Sequence, residues 1–360
     1  MPEDPDLPLL FTREEAMRAG LSRHQIAARV RSGAWRASRR AHYVVAQTYD
    51  SLTDRERHLI DVRALLLDRD GAEVASHLSA AVALGWALPL EGAGVPTVTA
   101  PSGSGPTRRT GRSIVQVAGL DTDDVWTARP RVGGAPLELR CTAPARTMAD
   151  LLRHLPVPDS VAIADATLRA GQLDPDRLAR VLREQGAWPY ATRAASAAAL
   201  VDPRRESWLE SYSFCVFALA GLPMPEPQVT ILDRQGRFVA RLDGWWDDVA
   251  VALEADGRGK YLAGAPQPGG TEDPLLEATA QVRRTLVAQN EREAALRELG
   301  VVMVRWGTHE IARRPAAVIA RAGRARAQGS RTRFTGRVVR GAAGPALAQF
   351  RPGESDIRPA

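Results

Sequence analysis

Apolar positions recur at helical spacing close to the N-terminus. Thr12 can cap a helix from Arg13 to Ala19, with Glu14 and Glu15 in its first turn, where acids suit the dipole. Gly20-Leu21 breaks it, and Ser22 can cap a second helix, RHQIAARVR. That helix turns Ile26 and Val30 inward and leaves Arg23, His24 and Arg31 free to face outward; Ser32-Gly33 stops it. Ala34–Arg36 and His42–Val45 then predict two short strands around the basic turn Ser38-Arg39-Arg40. Helix, turn, helix and basic ribbon is the layout of a winged helix-turn-helix, so residues 8–50 predict a DNA-binding domain.

Residues 51–190 predict an α+β middle domain. Residues 53–90 read as helical and end in the apolar stretch SHLSAAVALGWALP. Strands are expected at Val95–Ala100, Ser113–Val117 and Leu137–Cys141, and helices at Ala145–His154, Ser160–Ala170 and Pro175–Glu184. His77 and Asp150 are its conspicuous polar residues, and both read as capping or core groups.

From Asp202 the pattern changes. Arg204–Ala220 predicts a helix with Trp208, Tyr212, Cys215, Val216 and Leu219 on one face and Glu206 and Glu210 one turn apart on its neighbour. Gln228–Leu232 and Phe238–Asp243 flank a turn and form a hairpin; Val249–Glu254 follows as a third strand. A loop over 264–274, a long helix Leu275–Leu299, a strand Val301–Trp306 and a helix His309–Ala327 complete the region. The order predicts a mixed sheet flanked by helices over 202–328, within an α/β, multi-domain chain.

Length agrees with several domains: 360 residues exceed the roughly 100–200 typical of one. No apolar run approaches the ~20 residues of a membrane span, and the opening MPEDPDLPLL lacks the basic, apolar layout of a signal peptide, so a cytoplasmic protein is expected. Two cysteines exclude a disulfide scaffold. The net charge of +6 is unevenly placed. Thr12–Val44 holds eight arginines against Glu14 and Glu15, and Ile311–Gly353 holds ten arginines and no acid. The first run points to a polyanionic partner; residues 329–360 read as a basic disordered tail. Of 48 basic residues 47 are arginine, and the one lysine, Lys260, marks a place where a compact ammonium is kept.

Lys260 sits beside acids. Asp243 closes one predicted strand, Glu254 closes the next, and Asp256 follows within EADGRGK. Carboxylates held close repel unless a cation lies between them, and Mg²⁺ accepts such oxygens while keeping waters. A bound Mg²⁺ polarises a phosphoryl oxygen and activates water, and an ammonium beside it stabilises the phosphate. Asp243, Glu254 and Asp256 are therefore the candidate Mg²⁺ ligands, and Glu210, Asp243, Glu254 and Lys260 the candidate catalytic set for phosphodiester hydrolysis.

Several segments in order, RRESWLES, GLPMPEPQVTILDRQGRFVARLDGWW, VALEADGRGKY and LRELGVVMVRW, resemble the domain related to very-short-patch-repair endonucleases, a branch of the PD-(D/E)xK nuclease superfamily. The resemblance spans about residues 202–322 and implies a restriction-endonuclease-like fold. It places Glu210 at the helix glutamate of the pattern, Asp243 at the motif aspartate and Glu254 at the motif glutamate. Lys260 falls where relatives carry a basic residue or histidine, while Asp256 takes the position two residues after the glutamate. Trp208 replaces the usual proline, and Gln289-Asn290-Glu291-Arg292-Glu293 replaces a Glu-Lys-x-Arg-Glu run. Upstream, FTREEAMRAGLSRHQIAARVRSGAWRASRRAHYVV resembles the winged-helix domain of the AbiEi family of antitoxins, and ASHLSAAVALGW and CTAPARTMADL resemble the middle region of such proteins.

Three functions follow as expectations. One is a Mg²⁺-dependent endonuclease delivered to double-stranded DNA by the winged helix. Another is an antitoxin-type transcriptional regulator with an inert nuclease-like domain. The third is a toxin–antitoxin or phage-defence component that acts through contacts with a cognate protein. In each, Arg23, His24 and Arg31 on the second helix and Arg36, Arg39 and Arg40 around the ribbon turn form the DNA contact surface.

Overall fold

A computed structural model of the chain describes residues 7–39, 41–69, 71–89, 92–256 and 274–341. Its contacts divide it into two units, 1–155 with 171–194 and 156–170 with 195–360. The winged helix and most of the middle region thus share one unit. Both units mix helices and sheets, in keeping with the α/β, multi-domain class.

The first unit opens with β1 (Phe11–Thr12), α1 (Arg13–Arg18), α2 (Arg23–Arg31), β2 (Trp35–Arg39) and β3 (His42–Val45). Thr12 and Ser22 each accept the amide three residues on, while Glu15 and Gln25 reach back to the cap amide, so both helices start on full capping boxes. The strands run in the order β1-β3-β2, all antiparallel. The two-residue β1 was not expected: its entire signal is Phe11, which buries edge-on against Trp35 with ring centroids 4.6 Å apart. Ile26 and Tyr43 complete this small core.

The chain continues through α3 (Ala46–Ser51), α4 (Asp54–Leu67), β4 (Val74–Ala75), α5 (His77–Ala83), β5 (Thr97–Pro101), β6 (Arg108–Arg109) and β7 (Ile114–Ala118). Then come β8 (Val125–Ala128), β9 (Arg131–Val132), β10 (Ala135–Pro136), β11 (Leu139–Thr142) and α6 (Pro144–His154). A six-stranded mixed sheet has the order β6-β7-β5-β4-β11-β8. The expected helical stretch 53–90 is interrupted by β4, which pairs with β5 on one side and β11 on the other. Two fully buried residues in the sheet centre leave no alternation to read. Next in the chain, α7 (Val157–Arg169) belongs by its contacts to the second unit, although the sequence groups it with residues 51–190. α8 (Pro175–Glu184) returns to the first unit, and α9 (Ala191–Ala198) leads onward.

The second unit adds α10 (Trp208–Leu219), β12 (Glu226–Leu232), β13 (Phe238–Trp246), β14 (Val251–Asp256), α11 (Pro274–Glu298), β15 (Val302–Gly307), α12 (Thr308–Arg313), α13 (Pro315–Gly329) and β16 (Arg337–Val339). Its sheet order is β15-β14-β13-β12-β16, antiparallel except for the β14–β15 pair. Four expectations are corrected here. The helix expected from Arg204 begins at Trp208, capped by Ser207. Its buried positions include Leu209, Phe214 and Phe217, whereas Leu219 is 60% exposed, because α10 packs on both the sheet and α7 and so buries more than one stripe. The last helix breaks at Arg314, where Pro315 starts a new one. The first part of the expected tail is ordered: β16 pairs with β12, and the Phe334 ring lies 5.4 Å from that of Trp245. Residues 342–360 lie outside the described residues.

α7 is fixed to the segment leading into α10 by a buried ion pair. Arg205 Nη1 donates to Asp165 Oδ2 at 2.9 Å, and both side chains are at most 1% exposed. Asp165 also accepts the Asp202 amide, and Arg205 also donates to the Leu200 carbonyl. Burial pushes Asp165 up to about 7, with Arg205 opposing the shift. Removing one partner strands the other charge, so Asp165→Ala is expected to cost roughly 3–5 kcal/mol in urea unfolding, with replacement of both residues by apolar side chains restoring much of it. A loss below about 1 kcal/mol for Asp165→Ala would place the pair among exposed ones and contradict this account.

Candidate functional site

Two surfaces carry the chemistry expected from the sequence. On the winged helix, Arg23, His24 and Arg31 are all exposed on α2. Arg29, on the other side of the helix, is buried, with its guanidinium 5.4 Å from the Trp35 ring, and serves packing. Arg36 is exposed on β2, pairs with Asp50 at 3.0 Å and lies over the Tyr49 ring. Arg39 is only partly exposed and faces Asp68 at 3.8 Å. Arg40 lies outside the described residues.

The ribbon is held by α4. Asp54, Asp61 and Asp68, the last its C-cap, recur every seven residues, two helical turns apart. Asp61 accepts from Ser38 Oγ at 2.7 Å and from the Tyr49 hydroxyl at 3.2 Å. Asp68 takes Arg39 and His42, the latter at 3.1 Å. Burial pushes the Tyr49 phenol up to about 12, with the Asp61 charge adding to the rise. These acids border a cavity of about 1010 Å³ whose far wall is β6–β7. His58 closes part of its lining: its Nε2 lies 2.8 Å from Ser79 Oγ, which in turn accepts the Thr97 amide. Burial lowers the pKa of His58.

The second surface is the sheet in front of α10. Glu210 is the third residue of that helix and is buried. Its carboxylate accepts from Ser207 Oγ at 2.7 Å, the Glu206 amide at 2.9 Å and Gln228 Nε2 at 2.7 Å. Glu206 thus precedes the helix and does not stand one helical turn from Glu210; its carboxylate pairs with Arg241. Gly244 lets the helix approach, since a Cβ there would meet Phe214 Cζ at 2.5 Å.

Asp243 and Glu254 lie inside their strands, not at the ends, because β13 runs on to Trp246 and β14 to Asp256. The β12–β13 ladder skips Gln228 and Asp243, pairing Pro227 with Gly244 and Val229 with Leu242; Gln228 has a φ of +59°. The β13–β14 ladder stops at Gly244–Leu253, one step short of Asp243 and Glu254, and Asp243 Oδ2 instead accepts the Ala255 amide at 2.8 Å. Asp243 therefore sits where the sheet is irregular, and its charge reaches Glu210. Glu254 is buried, and its Oε2 accepts from Arg292 at 3.2 Å. That arginine comes from the run Gln289–Glu293, whose Glu293 pairs with Arg297 and Arg305. Asp256 is half-buried at the end of β14. Lys260 lies outside the described residues.

The charge of Asp243 thus acts on Glu210, and Glu254 has a guanidinium partner, Arg292, that sequence spacing does not suggest. Among the described residues, no three of His, Cys, Asp and Glu form a group able to hold a metal ion. Mg²⁺ needs only one or two carboxylates besides water, and the Glu210–Asp243 pair has oxygen donors of that kind.

His77 and Asp150 meet in one network in the first unit, consistent with a core role. Asp150 accepts from Arg146 Nε at 3.1 Å and from Arg153, and each guanidinium stands 4.7 Å from the Trp188 ring. His77 Nε2 lies 3.1 Å from His154 Nδ1, and burial pushes His77 down to about 4.

No protein-family profile matches the chain. Two proteins of Mycobacterium tuberculosis, uncharacterized protein MT2308 (strain CDC 1551 / Oshkosh) and uncharacterized protein Rv2248 (strain ATCC 25618 / H37Rv), are each 28% identical over 183 residues, 51% of this chain. The chain spans 60% of the length of these curated relatives. The crystal structure of the RV2827C protein from Mycobacterium tuberculosis aligns with a TM-score of 0.36 and 17% identity over 53% of this chain and 72% of that one.

Glu210 gives the second surface a pH signature. Burial raises its pKa above the ordinary 4.5, and Asp243 adds to the rise against its hydrogen bonds. The folded state then binds more protons than the unfolded one just above that value, so this residue's contribution falls as pH rises through the folded pKa. A divalent cation favours the ionised pair and offsets the loss. Mg²⁺ is expected to raise the melting temperature above neutrality, to leave it unchanged below the ordinary glutamate value, and to have no effect on Asp243→Asn. Equal Mg²⁺ shifts in the variant would remove the pair as a cation site.

Proposed function

We propose that this chain binds double-stranded DNA through its winged helix. The observation that carries the reading is the β1-α1-α2-β2-β3 order with the β1-β3-β2 sheet, which leaves Arg23, His24 and Arg31 on the outward face of α2. A helix so presented fits the major groove, with its N-terminal residues toward base edges and ribbon arginines toward phosphates. Arg36, the more exposed of the two, serves the second role; Arg39 is only partly exposed and faces Asp68. No helix among the described residues is long and apolar enough to cross a membrane, which fits a DNA-bound role in the cytoplasm. Replacing Arg23 or His24 with alanine should change sequence preference, while Arg36→Ala should weaken all duplexes alike. Binding by a 1–50 deletion with the affinity of the full chain would sink the proposal.

For the second unit we propose a nuclease-like domain whose candidate activity is Mg²⁺-dependent phosphodiester hydrolysis. Its α-β-β-β-α-β order and the Glu210–Asp243 pairing support this reading. Mg²⁺ would supply charge neutralisation and an activated water. Glu210 and Asp243 would hold it, with Glu254 and Asp256 on the adjoining strand and Lys260 as the compact cation. One observation favours a second reading, an antitoxin-type regulator whose nuclease-like unit is inert or binds a cognate toxin or defence protein: Arg292 already neutralises Glu254. Plasmid nicking separates the two. The enzyme reading expects Mg²⁺-dependent nicking that Asp243→Ala abolishes and Lys260→Arg nearly abolishes. Absence of nicking by the wild-type protein, with DNA binding intact, contradicts the enzyme reading and favours the regulator.

A further inference from the structure

The segment TRRTGRS forms a second basic hairpin, in the middle region rather than the winged helix. β6 pairs antiparallel with β7 at the edge of the six-stranded sheet, Arg108 opposite Val115 and Arg109 opposite Ile114. Its turn is pinned: the Thr110 amide donates to the Ser113 carbonyl at 2.9 Å, and Thr110 Oγ1 accepts the amides of Arg112 and Ser113 at 3.2 and 3.0 Å. Arg108 and Arg112 are both exposed, and neither has an acidic partner among the described residues. Both line the cavity that Arg39 of the wing also lines.

The charges around that cavity are unequal in availability. Among the described residues, five arginines line it against three aspartates. Each aspartate is engaged: Asp54 with Arg57 at 3.1 Å, Asp61 with Ser38 and Tyr49, Asp68 with Arg39 and His42. Arg69 is paired with Glu73 at 3.3 Å. Among the described residues, the positive charge left over is that of Arg108 and Arg112, on a hydrogen-bonded turn that lines the same cavity as Arg39 of the wing. Arg112 and Arg69 stand near enough to Arg39 to oppose its protonation, alongside the larger effect of burial. Guanidiniums gathered around one cavity are favourable when a polyanion lies along it. Arg109, in the same hairpin, points elsewhere; its charge acts on His154.

We propose that Arg108 and Arg112 contact the phosphate backbone of the duplex that the winged helix engages, so that the DNA footprint continues from the wing onto the middle-region hairpin. This rests on the DNA-binding reading above. A backbone contact of this kind adds affinity without sequence preference and appears in the salt dependence.

The test uses the full chain and fluorescence anisotropy on a labelled duplex over a series of salt concentrations. For Arg108→Ala with Arg112→Ala, the log–log salt slope should fall by roughly 0.9 per contact, about 1.8 for the pair, with sequence preference retained. Replacing both residues with lysine should keep the slope near that of the wild type, since a phosphate contact needs the charge. Arg109→Ala should change it far less. The residues are on the surface, and an unchanged melting temperature checks that the fold persists. An unaltered slope in the double alanine variant, or an equal loss from Arg109→Ala, overturns the proposal while leaving the winged-helix reading standing. Wild-type protein that binds no duplex overturns both. Inorganic phosphate and a nucleoside triphosphate are the remaining arms. Binding of either that the double variant abolishes, with DNA affinity unchanged, makes the cavity a small-anion site and also overturns the proposal.

Discussion

The placement of the wing depends on two aspartates seven residues apart, Asp61 on α4 and Asp68 at its C-terminal cap. Asp54 and Asp61 share a face of α4 because seven residues bring a helix back almost to the same side, and Asp68, its C-cap, continues the spacing. Two of them reach the ribbon: Asp61 through Ser38, Asp68 through Arg39 and His42. The winged helix is thereby fastened to the middle region by charge-assisted contacts, and its own core stays small, built on Phe11, Ile26, Trp35 and Tyr43. The fastening leaves Arg39 only partly exposed. Outward-facing charge then resides in α2 and Arg36, and the basic hairpin at Arg108 and Arg112 lies across the same cavity.

The second unit places its acids by interrupting a sheet. Gln228 at positive φ lets the β12–β13 ladder pass over Asp243, and Asp243 caps the Ala255 amide where the β13–β14 ladder ends. Gly244 admits α10 against the strand, so that Glu210 comes within reach of the Asp243 charge. The same glutamate helps close the start of its helix through Ser207 and the Glu206 amide. One carboxylate thus has a structural and a candidate chemical role. Arg292 resolves the charge of Glu254 without a metal, and this is the feature that sets the nuclease and regulator readings apart.

Much of the winged helix was legible because its determinants are local. Capping residues at Thr12 and Ser22, a stop at Gly33 and inward Ile26 all act within a few positions. The order of the second unit was legible for the same reason: turns and alternation mark β12 to β14. What escaped was non-local or too short to show periodicity. β1 and β4 are two residues each, and only their partners define them. α10 buries more than one face, so no single stripe could be read, and Leu219 came out exposed. The ion pairs Asp165–Arg205 and Glu254–Arg292 join residues 40 and 38 positions apart, and nothing in the spacing announces them. The seven-residue recurrence of aspartate and the basic run TRRTGRS were both visible in the sequence. Their meaning lay in the cavity they share, which the chain order conceals.

Backbone hydrogen exchange on the full chain, with and without a bound duplex, tests the central claim that the first unit docks on DNA through α2. The account predicts slower exchange over residues 22–31, the α2 cap and helix, and in the Thr110–Ser113 turn. Slowing confined to the arginine-rich stretch after Ile311, with residues 22–31 unchanged, would contradict it.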